Sequence, residues 1–160
     1  MKRLIFSLII TLLALSTAVA APKGKIKKII KKEVAACKAQ GWKPISGAPS
    51  LEEQVTTYIE HLSMVGDDGE PIYIIVTASS IGMSPNIANS MTMQTCKSLA
   101  AQEILKSLGL TNIEKNIKIT RGKKLQHLQR ERTNKIEVML SIAYNRNEIL
   151  KANSHLIEKK

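Results

Sequence analysis

From Pro71 to Gly109 the chain spells a strand, a short break and a long helix, and its fold must accommodate that pair. Ile72-Tyr73-Ile74-Ile75-Val76-Thr77-Ala78 is β-branched and nearly continuous in apolar residues, which predicts a strand buried on both faces. Ser84-Pro85 then offers a hydroxyl N-cap and a proline at the first helical position. Gly109 supplies a left-handed cap at the far end. Between them Ala88, Thr92, Cys96, Ala100 and Ile104 recur every fourth residue and form one predicted buried row. All but Ile104 are small, so the helix can lie close to what it covers. A strand feeding such a helix is a scaffold and carries no chemistry of its own.

The remaining elements fit around this pair. Residues 23–40 read as a basic amphipathic helix with Ile26, Ile29, Ile30, Val34 and Cys37 on one face, ended by Gly41. Trp42-Lys43-Pro44-Ile45 is extended and suits a short edge strand, because proline cannot donate to a ladder. Ser50-Leu51-Glu52-Glu53 is a capping box that opens a helix over 51–65. Asp67-Asp68-Gly69 is a turn. Residues 110–121 show no clear period. Ile136, Val138, Leu140, Ile142 and Tyr144 alternate with other residues, which predicts a strand with one buried face. Lys124–Arg132 reads either as a helix or as that strand's partner, and a hairpin turning at Thr133-Asn134 is preferred. The tail from Glu148 is helical. The expected fold class is α+β: a small, mainly antiparallel sheet from 72–79, 124–132 and 135–144, with helices 51–65 and 85–108 packed on it. Residues 42–160 form a single domain, with 21–41 as a leading helix.

The N-terminus points to export. Lys2 and Arg3 precede the apolar run Leu4–Ala14, and Ala18-Val19-Ala20 places small residues before a cut after Ala20. The run is too short to span a bilayer comfortably. No cysteine near the cut could accept a lipid. The expectation is an exported protein, periplasmic in a Gram-negative source, cut down to a size that suits one domain.

Few motifs carry chemistry. His61, His127 and His155 match no zinc spacing and are expected at the surface or its boundary. Thr120-Arg121-Gly122-Lys123 holds a Thr-x-x-Lys in a basic turn, without the upstream glycine of a phosphate loop. Asp67-Asp68-Gly69-Glu70 starts like a calcium loop, but its ligands do not continue. No cofactor motif is present. Cys37 and Cys96 are either bonded, as an oxidising compartment invites, or two separate buried thiols.

Charge is the remaining lead. The chain carries a net +11, and loss of Lys2 and Arg3 with the leader barely reduces it. Lys25, Lys27, Lys28, Lys31 and Lys32 crowd the leading helix; Arg121, Lys123 and Lys124, with Arg130, Arg132 and Lys135, form a second group. Both groups could simply keep a solvated protein in solution. Functionally they suit an anionic membrane surface or an acidic envelope protein. Nucleic acid is disfavoured, because Trp42 and Phe6 are the only Trp and Phe to stack on bases. Isoleucines down and lysines toward headgroups would let the leading helix lie on a lipid interface, which requires Ile26 and Ile30 to be exposed beforehand. The favoured function is non-enzymatic binding or assembly through these basic surfaces. A carrier of a small anionic ligand and an enzyme with a scattered site stay open beside it.

Ser80-Ile81-Gly82, Leu99-Ala100-Ala101-Gln102-Glu103-Ile104, Arg130-Glu131-Arg132, Glu137-Val138 and Ile142-Ala143-Tyr144-Asn145 resemble a group of small exported bacterial proteins related to the LPP-type membrane-associated lipoproteins. The resemblance covers residues 33–146 and implies an α+β envelope domain with no established chemistry. It brings no catalytic residues to carry over. The chain departs from the lipoproteins in lacking the lipid-acceptor cysteine, so no direct anchoring is implied.

Overall fold

A computed structural model describes residues 23–107, 109 and 117–157. The leader, with its apolar run, lies outside them, as do Leu108 and most of the stretch without a clear period. The elements follow in the order α1 (Lys23–Ala39), β1 (Lys43–Pro44), α2 (Leu51–Leu62), β2 (Tyr73–Gly82), α3 (Pro85–Ser107), β3 (Lys123–Arg132), β4 (Lys135–Asn145), α4 (Arg146–Ala152) and α5 (Ser154–Ile157). The strands form one antiparallel sheet in the order β1-β3-β4-β2. The fold is α+β.

Local chemistry sets the boundaries. Ser50 N donates to Glu53 Oε2 at 2.8 Å and Glu53 N to Ser50 Oγ at 3.2 Å, which completes the capping box of α2. Gly41 and Gly109 have φ of 78° and 64° where α1 and α3 end. The two-residue turn between β3 and β4 holds Asn134 at φ 60°, so the hairpin is present. A register shift at Leu125 bends β3 near its start.

The sheet has helices on both sides. Val76, Ala78, Leu140, Ile142 and Tyr144 face α3 and Ile149 of α4, around Cys96, Ala100 and Ile104. Leu128 and Met139 face the other way, toward Val34 and Cys37 of α1, Trp42, and Leu51, Val55 and Ile59 of α2. Leu140 and Met139 are neighbours in β4, so the two clusters lie on opposite faces. Ala88, Thr92, Cys96, Ala100 and Ile104 are all fully buried. Thr92 Oγ1 donates to Ala88 O at 2.8 Å and lies 3.2 Å from Val138 O, so its hydroxyl is not left unsatisfied. Ala100→Leu should overpack this contact and cost roughly 1–3 kcal/mol, read as a lowered melting midpoint. An unchanged midpoint would contradict the packing.

Two strands exchange the roles expected of them. β2 is an edge strand: Val76 and Ala78 are buried under α3, but Thr77 and Ser79 are exposed. β4 is the interior strand, buried from Glu137 to Tyr144 on both faces. The polar members of β4 are buried because neighbours satisfy them. Ser141 Oγ lies 2.8 Å from Thr77 Oγ1 and donates to Gln126 Oε1 at 2.9 Å. Glu137 accepts from Arg130 and Arg132.

Candidate functional site

The residues singled out by charge lie on α1 and at the start of β3. Lys25, Lys27, Lys28, Lys31 and Lys32 are all exposed, and none forms an ion pair among the described residues. Opposite them Ile26, Ile29 and Ile30 are half-buried and pack against the α1–α2 cluster. This corrects the expectation for a helix that lies in lipid, since the isoleucines already serve the domain. The helix turns its cations outward and keeps its apolar face at home.

Between α1 and α2 runs a groove of about 940 Å³. Ile26, Ile30 and Val34 contribute its apolar lining, while Lys27, Lys31 and Lys38 of α1 and Glu52 and Glu60 of α2 contribute its charges. Three lysines and two glutamates give the groove a mixed charge around its apolar lining.

Arg121, Lys123 and Lys124 are exposed. His61 Nδ1 lies 2.8 Å from Thr57 O, which can only accept, so Nδ1 carries the hydrogen. Nε2 is left to take a hydrogen from Lys123 Nζ at 3.4 Å. His61 is a buried helix residue, where a position at the surface or its boundary was expected. Its ring also lies 4.8 Å from that of Tyr73. His127 is half-buried, with Nε2 2.8 Å from Asn89 Oδ1. Burial, then the nearby Lys124 cation, holds its pKa below the usual 6.5. Both histidines tie elements together.

Arg130 and Arg132 leave the basic patch. Arg130 Nε donates to Glu137 Oε2 at 2.7 Å and Arg132 Nε to the same oxygen at 2.8 Å. The Arg130 guanidinium also lies 4.2 Å from the centre of the Trp42 ring, in cation–π range. Arg130 and Glu137 are both buried, so the cluster fastens the hairpin to the end of α1.

Cys37 and Cys96 are both free and buried, the arrangement of two separate thiols. They sit in clusters on opposite faces of the sheet. A disulfide needs Cα atoms within roughly 7 Å, too short a reach across the intervening layer. Burial raises both thiols, Cys96 to about 11 despite a hydrogen bond from the Ala78 backbone. The Glu33 charge adds to burial at Cys37. Neither is set up as a nucleophile. Among the described residues no group of three or more His, Cys, Asp and Glu could hold a metal ion. No helix of the described residues is long and apolar enough to cross a membrane.

No protein-family model matches the chain, and no curated protein or solved structure matches it either.

Proposed function

We propose that this is an exported, non-enzymatic envelope protein that binds an anionic surface of lipid headgroups through the outer face of α1. The observation that carries the reading is the division of that helix. Five exposed lysines stand outside any ion pair among the described residues, while the isoleucines behind them are packed on the domain. A docked helix holds its cations in a fixed array, so little ordering is needed when a surface approaches. Each lysine near such a surface adds on the order of 1 kcal/mol, within a Debye length of roughly 8 Å at physiological salt. Export is supported by Lys2-Arg3, the run Leu4–Ala14 and Ala18-Val19-Ala20.

Co-sedimentation with vesicles tests this. The protein should bind anionic vesicles and leave neutral ones in solution. Changing Lys27, Lys28, Lys31 and Lys32 together to Gln should abolish binding without lowering the melting midpoint by more than about 1 kcal/mol equivalent, because all four are exposed. Equal binding of the variant, or equally poor binding to both vesicle types, would refute the reading. Binding to a polyglutamate chain but not to vesicles would transfer the lysine face to an acidic protein partner.

A further inference from the structure

We infer that β2 is an interface between two copies of this chain, paired antiparallel across a two-fold axis into one continuous sheet. Antiparallel edge strands leave N–H and C=O groups facing outward along their length, and proteins usually guard them with charges, proline, bulges or a covering element. One edge of this sheet is guarded in that way. β1 is two residues long and ends in Pro44, and β3 beside it carries Lys123, Lys124, Arg130, Glu131 and Arg132. The other edge is not. β2 runs for 10 residues without a charge or a proline. Its register with β4 is unbroken from Tyr73↔Asn145 to Gly82↔Ile136. Ile72 N donates to Met64 O just before the strand. Along the strand itself no other strand meets the outer edge among the described residues.

The charge pattern identifies the occupant. No charged residue occurs from Pro71 to Cys96, in a chain that is 23% charged with a net +11. That run comprises all of β2, the break and the first half of α3. A two-fold axis sets each β2 residue against another from the same strand, so any charge would meet its like. β2 has none, and two strongly cationic copies can meet at this edge without opposing cations. An acidic partner would be drawn to the lysines instead. The same neutral region exposes Ile81 (47%), Met83 (71%), Ile87 (50%) and Met91 (47%). Met83, Ile87 and Met91 recur at four-residue spacing, and methionine adapts its shape to a facing surface. α3 packs chiefly on β2, so two copies of it would flank the axis.

Pairing of this kind places the axis perpendicular to the sheet and keeps each face on its own side. The α1–α2 layers of both copies then lie on one side of the joined sheet, with both α3 helices on the other. The pairing stands without the proposed function. If that function holds as well, one anionic surface is gripped by two lysine helices at once.

Sedimentation velocity over a concentration series, without vesicles, tests the pairing alone. The protein should sediment as a dimer. Ser79 is exposed, so Ser79→Lys should keep the fold and raise the dimer dissociation constant about tenfold or more, by setting lysines near one another across the axis. Met83→Glu with Met91→Glu should do the same from outside the strand, and guards against a Ser79→Lys chain that fails to fold. A monomer at every concentration, or a dimer that survives both variants, would overturn the inference. Loss of vesicle binding on its own would leave it standing.

Discussion

Replacing Glu137 by Gln is expected to destabilise the protein by about 3–5 kcal/mol at neutral pH. The amide keeps the volume but removes the charge that two guanidinium groups share. Arg130 then stays buried without a counter-charge, left with neutral partners: the amide oxygen, the Trp42 ring and the Gln40 carbonyl at 3.4 Å. Arg132→Gln should cost no more than about 1 kcal/mol, because its side chain is half exposed and water takes over. Urea midpoints of the two variants check the contrast, and equal losses would contradict it. The effect also depends on pH. Burial by itself would raise the Glu137 carboxyl, but hydrogen bonds and charge from Arg130 and Arg132 outweigh burial and hold it below its ordinary 4.5. A carboxyl lowered on folding contributes stability that is complete above its unfolded value and lost as pH falls through the folded one. The gap between wild type and Glu137→Gln should therefore narrow as pH drops below about 4.5.

Met139→Ala and Leu140→Ala should each cost about 2–5 kcal/mol, measured separately by urea unfolding. The two residues are adjacent in β4 and point to opposite faces, and both are at least 95% buried, Met139 at 5% exposure and Leu140 at 0%. Met139 packs with the α1–α2 cluster and Leu140 with the α3 cluster. A strand with one buried face would lose stability at only one of the two positions. A loss near zero for Met139→Ala would mean that α1 and α2 do not close the second face.

Much of this architecture is legible in the residues. The capping box at Ser50, the proline and glycine that bound α3, and its row of small residues all follow from local chemistry and helical spacing. The two-residue turn at Thr133-Asn134 goes further. Once the hairpin is accepted, its register sets Arg130 opposite Glu137 and Leu128 opposite Met139. The buried ion cluster could thus have been found from the turn and the charges across it, although Arg130 first reads as part of a basic patch.

What the sequence hides is which strand lies inside. Ile74-Ile75-Val76 suggests burial on both faces, yet α3 covers β2 far more fully than α2 does, Thr77 and Ser79 stay exposed, and the strand lies at an edge. β4 alternates apolar residues with Glu137 and Ser141, which looks like a wet second face. Hydropathy does not show that Arg130, Arg132, Gln126 and Thr77 stand ready on neighbouring strands to satisfy those groups. The cysteines mislead for a similar reason. Both are helical and apolar in setting, but only the strand order puts a sheet between them. On α1 the spacing gives the two faces, and packing decides that the isoleucine face belongs to the domain. Function is the least legible part, because an array of lysines has no spacing that names its partner.

The central claim is that α1 meets its target with lysines alone. It is tested most directly by the affinity of the protein for anionic vesicles as salt is raised. With the isoleucines held on the domain, binding should fade steadily with ionic strength until anionic and neutral vesicles are bound equally weakly. Binding to anionic vesicles that persists at high salt would show that Ile26 and Ile30 leave the domain and enter the lipid, and would contradict the account.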